Sequence, residues 1–95
     1  MPKYPAVYRD ISIIAGKGTQ NADVITVIRA AAGPMLKDAK LIDRYRGKQI
    51  PEDKVSLTYR LEYQHLARTL EDKDVLEAHA KVLRELDEKL GAKLR

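Results

Sequence analysis

The stretch VSLTYRLEY, residues 55–63, decides the fold, because apolar and polar residues alternate along it without a break. A period of two is typical of a β-strand that has one face on a core and the other in water. We therefore predict a strand here with its odd positions buried. These positions are Val55, Leu57, Tyr59, Leu61 and Tyr63.

Three further strands are predicted around this one. Residues 6–15 are rich in bulky and β-branched side chains, and residues 40–46 precede a connection that contains Gly47 and Pro51. That connection predicts a hairpin between the second and third strands. Residues 92–95 are predicted to form a short last strand.

Two helices are predicted between the strands. The first begins with Asn21 as its N-cap and ends at Gly33. The second is expected to use Thr69 as its cap and to end at Gly91. Its buried stripe is predicted to contain Val75, His79, Val82, Leu86 and Leu90, widened by Leu76 and Leu83. His79 is interpreted as a packed, hydrogen-bonded residue rather than a ligand.

The order β-α-β-β-α-β predicts an α+β domain with a ferredoxin-like sandwich fold. Right-handed crossovers place the first and third strands at the centre of a four-stranded antiparallel sheet of order 4-1-3-2. Both helices are expected on one face, which leaves the other face open. We expect one domain over residues 1–95.

The amino-acid composition excludes several classes of function and favours one kind of partner. The 95 residues contain 18 Lys and Arg against 14 Asp and Glu, and the net charge of +4 favours a polyanionic partner. The absence of cysteine excludes disulfides, thiol catalysis and cysteine zinc sites.

No nucleophile with a base, carboxylate pair or phosphate loop is recognisable, so we expect no enzyme, no cofactor and no metal. No apolar run approaches the roughly 18 residues of a membrane span, so we expect a soluble, cytoplasmic protein with no membrane partner.

Five motifs together suggest a family. They are YPAVYRDIS (4–12), DRYRG (43–47), IPEDKVSLTYRLEY (50–63), ARTLED (67–72) and LGAKLR (90–95). In this order they resemble the ferredoxin-fold anticodon-binding domain, which closes the β subunit of bacterial phenylalanyl-tRNA synthetase. The resemblance implies a non-catalytic domain that binds the anticodon stem-loop of phenylalanine tRNA, while aminoacylation takes place elsewhere. The partners it implies are this tRNA and the rest of a synthetase, unless the chain is a free-standing relative.

The open sheet face is the expected site, because unpaired RNA bases need a surface of aromatic planes, hydroxyls and charges. Alternation turns Ser12 of the first strand and Ser56 and Arg60 of the third strand to this face. The second strand is ambiguous, because periodicity allows either of two sets to face outward. These sets are Leu41, Asp43 and Tyr45, or Ile42, Arg44 and Arg46.

The family resemblance decides between the two sets. It implies that Asp43 and Tyr45 lie beside Ser56 on the anticodon-facing surface, and that Ser12 occupies a small-residue position of the first strand. Tyr45 would stack on a base, Asp43 would accept from guanine N–H groups, and Ser56 would bond a base edge. Arginines that could contact phosphates are Arg9, Arg44, Arg46, Arg60 and Arg68.

An alternative from another class stays open at this point. The same layout serves protein-interaction and small-ligand regulatory modules, because fold alone does not choose a function. The glycine-containing turn GKGTQN, residues 16–21, is a weak candidate for such a ligand site. In that case Tyr45 would be an ordinary packing residue.

Overall fold

A computed structural model describes residues 5–64 and 70–95 of the chain. Within these residues, strands and helices follow each other in the predicted order, β-α-β-β-α-β, and a short 3-10 turn at Gly33–Met35 precedes the second strand. The strands are β1 (Val7–Gly16), β2 (Leu36–Tyr45), β3 (Lys54–Tyr63) and β4 (Lys93–Leu94), and the helices are α1 (Asn21–Ala32) and α2 (Asp72–Leu90).

The strands form one antiparallel sheet in the order β2-β3-β1-β4. Counted from the other edge, this is the predicted order 4-1-3-2, with β1 and β3 at the centre. The central strands pair along all ten residues of each. Strand β4 is only two residues long and pairs with Ile13 and Ile14, so it covers one end of β1.

The core lies between one face of the sheet and the two helices, as predicted. All five odd positions of β3 are buried. They join Ile11 and Ile13 of β1 and the buried residues of both helices in one hydrophobic cluster. The even positions of the central strands therefore point away from the helices, which leaves the opposite face for other contacts.

Tyr59 connects this core to the start of α1. Its ring is fully buried, and its hydroxyl donates a hydrogen bond of 2.8 Å to the side-chain oxygen of Asn21. Burial raises the pKa of Tyr59 to about 12. The prediction that Asn21 is the N-cap was wrong, because Gln20 holds that position and Asn21 is the first helical residue. The side-chain oxygen of Asn21 accepts the hydrogen bond from Tyr59 and does not cap the helix.

Helix α2 begins with a different cap from the one expected. Glu71 is the N-cap, and its backbone N–H donates to the Asp74 carboxylate at 3.0 Å, which forms one half of a capping box. Thr69, the predicted cap, lies outside the described residues. The helix ends as predicted at Gly91, whose φ of 65° is left-handed and suits glycine.

The buried stripe of α2 is narrower than predicted. Val75, Val82 and Leu86 are buried, whereas Leu76 is 66% exposed and does not widen the stripe. His79 is half-buried, and burial, assisted by the charge of Arg9, lowers the pKa of its imidazole. Its buried Nδ1 atom makes no hydrogen bond within the described part of the chain, so the predicted hydrogen bond is not formed at that nitrogen.

Strand β2 begins at Leu36, four residues before the predicted start. Its first part buries Leu36 and Ala39 against β3, whereas the intervening Lys37 and Asp38 are exposed. This segment lacks a strict alternation because the register with β3 shifts between Leu36 and Asp38. A bulge of this kind places two residues opposite one and hides the strand period.

Candidate nucleic-acid interface

The open face is built from cross-strand pairs, whose two members point to the same side of the sheet. Between β1 and β3 the pairs on this face are Tyr8 with Glu62, Asp10 with Arg60, Ser12 with Thr58 and Ile14 with Ser56. Strand β2 adds Asp43 opposite Thr58 and Tyr45 opposite Ser56. The sheet thus brings five of the seven predicted site residues to one face: Ser12, Asp43, Tyr45, Ser56 and Arg60.

A second bulge in β2 sets which side chains join this face. Leu41 lies opposite the buried Tyr59, on the helix side, whereas Asp43 lies opposite Thr58, on the open side. Ile42, between them, has no partner in the register of β3. The two alternating sets considered for β2 are therefore both wrong as sets, since the face changes at the bulge. The placement of Asp43 and Tyr45 outward is confirmed.

The other two predicted residues lie elsewhere. Arg44 is opposite the buried Leu57 and is therefore directed to the helix side, where its charge lies close enough to act on the Tyr59 hydroxyl. Arg46 follows the end of β2, and its guanidinium donates to the Glu52 carbonyl at 3.2 Å. Arg44 is thus separated from the open face, and Arg46 borders it.

Arg60 is on the open face but already has an anionic partner. Its Nε and Nη2 atoms donate to the two oxygens of Asp10 at 3.0 and 3.1 Å, in a two-bond pair. The hydrogen bond and charge of Arg60 lower the pKa of Asp10, and Asp10 raises the pKa of Arg60. The pair orients the guanidinium but neutralises much of its attraction for a phosphate.

Ser56 faces outward but is covered. Only 1% of its surface is exposed, because Arg95 lies across it. The guanidinium of Arg95 donates to the Ser56 hydroxyl at 3.2 Å, and its backbone N–H donates to the Ser12 carbonyl at 2.9 Å. Ser56 therefore faces outward as predicted, but a base edge could bond its hydroxyl only if Arg95 moved. Arg95 was missed from the sequence, where nothing distinguishes it from other basic residues.

The hydroxyl of Ser12 is also engaged. It lies 2.8 Å from the Thr58 hydroxyl in a hydrogen bond across the two central strands. Each hydroxyl has two lone pairs and one proton, so both members of the pair keep capacity for another partner: the donor oxygen can still accept, and the acceptor can still donate its proton. The two side chains form a polar floor at the centre of the open face.

Tyr45 is 39% exposed, and Arg95 and Gly47 both lie against its ring. The guanidinium carbon of Arg95 lies 5.4 Å from its ring centroid, within cation–π range. The ring also passes over Gly47, where an added Cβ would lie 2.6 Å from Tyr45 Cζ. Glycine is therefore required at the end of DRYRG if the tyrosine ring is to keep this position.

A groove beside Gly47 supplies positive charge. It encloses about 560 Å³ along the connection from β2 to β3. Its lining carries Arg46, Lys48 and Lys54 against one carboxylate, that of Glu52. Lys48 and Lys54 were not among the predicted site residues, because a lysine in or beside a turn is normally a solvated surface residue. Their position around one groove with Gly47 is visible only in the folded chain.

The surface has the chemistry of a binding site. It combines two partly exposed aromatic rings, Tyr8 and Tyr45, with a carboxylate at Asp43, paired hydroxyls and a cationic groove. Over residues 5–64 and 70–95, no three acidic, histidine or cysteine side chains are arranged to hold a metal ion. Within the same residues, neither helix combines the length and the apolar character of a membrane span.

Comparison with known protein families gives a match over almost the whole chain. The family described as "Ferredoxin-fold anticodon binding domain" matches residues 2–95. The chain belongs to this family. The fold agrees with that membership, and the family description names binding rather than a reaction.

Individual relatives of this anticodon-binding domain are synthetase subunits. Over all 95 residues the chain is 42% identical to the phenylalanine–tRNA ligase beta subunit of Clostridium tetani and 43% identical to that of Moorella thermoacetica. The subunit of Bacillus cereus is 40% identical over the same length. The chain spans 12% of the length of each of these relatives.

Proposed function

We propose that this domain binds the anticodon stem-loop of phenylalanine tRNA and performs no chemistry itself. Its partners would be this tRNA and the remainder of a phenylalanine–tRNA ligase in the cytoplasm, which would carry out aminoacylation. The observation that carries the proposal is the half-exposed Tyr45 ring beside the Asp43 carboxylate on the open sheet face. The names of the relatives indicate which tRNA to test.

Tyr45 would supply affinity without base preference. Stacking of a base on an aromatic ring is worth about 1–3 kcal/mol and tolerates any base. Because Arg95 lies over one side of the ring, the opposite side is the one on which a base would stack. A four-stranded sheet with aromatic residues on its open face is a recurrent way to bind unpaired bases.

Asp43 would supply discrimination. A carboxylate accepts hydrogen bonds only, and guanine offers it two N–H donors on its Watson–Crick edge. A carboxylate near phosphates weakens binding unless it forms such bonds. Asp43 would therefore favour guanine, the wobble base expected in a phenylalanine anticodon, over adenine, uracil or cytosine.

The groove at Arg46, Lys48 and Lys54 would take the RNA backbone. Cations there would contact phosphates and release counterions, which makes affinity depend on salt rather than on sequence. The groove adjoins Gly47 and so lies next to the Tyr45 ring. A base on the ring and its phosphates in the groove would belong to the same stretch of RNA.

The test is a binding titration with three stem-loops that differ at one base. The phenylalanine anticodon stem-loop should bind most tightly. Replacement of its wobble guanine by inosine, which lacks the 2-amino group, should weaken binding by about 1 kcal/mol, and replacement by adenine should weaken it further. Asp43→Asn should abolish this preference, whereas Asp38→Asn, a matched change on the same strand, should keep it. Equal affinities of the native domain for all three RNAs would refute the proposed reading by Asp43.

A further inference from the structure

Arg95 contacts three parts of the open face at once. Its backbone N–H donates to the Ser12 carbonyl of β1 at 2.9 Å, and its guanidinium donates to the Ser56 hydroxyl of β3 at 3.2 Å. The guanidinium carbon lies 5.4 Å from the ring centroid of Tyr45 on β2. One exposed arginine thus connects the polar floor of the sheet to the aromatic ring.

The direction of this contact determines which side of the ring is free. The Arg95 backbone lies beside β1, so its side chain reaches over β3 and meets Tyr45 from the centre of the sheet. Strand β2 is one of the two edge strands of the described sheet, and neighbouring strands are about 4.8 Å apart. A base that approaches from the β2 edge would therefore meet the side of the ring that faces away from Arg95. At the tip of the ring, Gly47 has no Cβ that would push it away.

We propose that Arg95 is a positioning residue of the RNA site: it packs on one face of Tyr45 and directs a single base to the opposite face. This inference rests on the proposed function. A ring held by a guanidinium and by the floor at Ser56 loses less rotational freedom when a base stacks on it, so more of the stacking energy appears as affinity. The resulting stack runs from guanidinium to tyrosine to base.

Arg95 does not need to leave for this arrangement to form. The guanidinium has five N–H groups, and one of them bonds Ser56. Its other donors have no further hydrogen-bond partner among residues 5–64 and 70–95, and they could bond a phosphate or a base edge that approaches over the exposed side. If Arg95 instead occupied the only usable ring face, its removal would strengthen RNA binding, so the two roles predict changes of opposite sign.

The experiment is a double-mutant cycle on the 95-residue chain with the phenylalanine anticodon stem-loop as probe. Arg95→Ala should weaken binding about two- to fivefold, the range expected for one cation–π partner at an exposed site. In a Tyr45→Ala background the same change should alter affinity by less than about twofold, because Arg95 acts through the ring. Lys93→Ala is the matched control: it removes one positive charge two residues before Arg95, and this lysine pairs with Asp87 of α2. It should leave affinity within about twofold.

Three outcomes would overturn the inference. They are Arg95→Ala binding as tightly as or more tightly than the native chain, an equal loss in both tyrosine backgrounds, and an equal loss for Lys93→Ala. NMR of the free protein supplies a readout independent of RNA, since removal of the guanidinium should shift the Tyr45 ring protons. If that shift occurs but the native chain does not prefer this stem-loop to an unrelated one, the proposed function fails while the contact stands.

Discussion

Truncation of two tyrosines separates RNA contact from core packing. Tyr45 is partly exposed on the open face, and Tyr59 is fully buried under the helices. Tyr45→Ala should weaken binding of the phenylalanine anticodon stem-loop by about 1–3 kcal/mol, roughly five- to 150-fold. Its folded state loses mainly the contact with Arg95, worth about 0.5–1 kcal/mol at an exposed site.

Tyr59→Ala should act on stability instead. Removal of a buried aromatic side chain costs about 3–5 kcal/mol through the transfer and cavity contributions. The variant also loses the hydrogen bond to Asn21, worth about 1 kcal/mol. For a domain of this size, 1 kcal/mol corresponds to a Tm change of about 4–8 °C, so Tm should fall by at least about 12 °C. Tyr45→Ala should lower it by less than about 8 °C.

Thermal melts and binding isotherms on both variants provide the assay. Tyr59→Phe is the control, because it keeps the ring and removes only the hydroxyl, and it should retain most of the stability. Binding is measured well below each variant's melting range, so that unfolding does not contribute to the affinity. A Tyr45→Ala protein that melts as early as Tyr59→Ala, yet binds normally while folded, would refute the assignment of Tyr45 to the RNA surface.

Three further predictions concern Gly47 under the Tyr45 ring, the cationic groove and the half-buried His79. Gly47→Ala should displace the Tyr45 ring, because the added Cβ would overlap it. Stem-loop binding should weaken by about tenfold with little change in Tm. Binding as tight as that of the native chain would contradict the role of the glycine. Lys48→Ala should reduce the slope of the logarithm of the RNA-binding constant against the logarithm of the salt concentration by about 0.7–0.9. Lys81→Ala on α2 is the control and should leave this slope unchanged. A Lys48→Ala protein with the same slope as the native chain would exclude phosphate contact by Lys48 in the groove. Burial lowers the pKa of His79 below 6.5, so as the pH falls the imidazole of the unfolded chain takes up a proton before that of the folded chain. The free energy of unfolding should therefore be constant above pH 6.5 and fall below it. Denaturant unfolding between pH 7.5 and about 5.5 measures this, and a His79→Gln variant with the same pH dependence would assign the effect to other groups.

The main features of the fold were predictable because strong periodic patterns govern the central strand and the longer helix. The alternation over β3 predicted its five buried positions, and the hydrophobic stripe of α2 identified Val75, Val82 and Leu86. Leu76 was assigned to the core because its position borders the stripe at helical spacing. Spacing alone does not show how far the sheet extends beneath a helix.

The details of the site were less predictable because they depend on contacts between distant residues. The bulge at Ile42 changes the face of β2 without an unusual residue to mark it. The cover on Ser56 comes from Arg95, 39 positions away in the sequence. Asp43 and Tyr45 were placed outward through family resemblance, since local alternation left both choices open.

The central claim is that the open sheet face binds the RNA. NMR chemical-shift mapping of the phenylalanine anticodon stem-loop on the labelled domain tests this claim most directly. We predict that the largest shifts occur at Ser12, Asp43, Tyr45 and Gly47, and that the outer surfaces of α1 and α2 shift little. An unrelated stem-loop should produce smaller shifts at the same residues. Shifts concentrated on the helices, with the four open-face residues unchanged, would contradict the account.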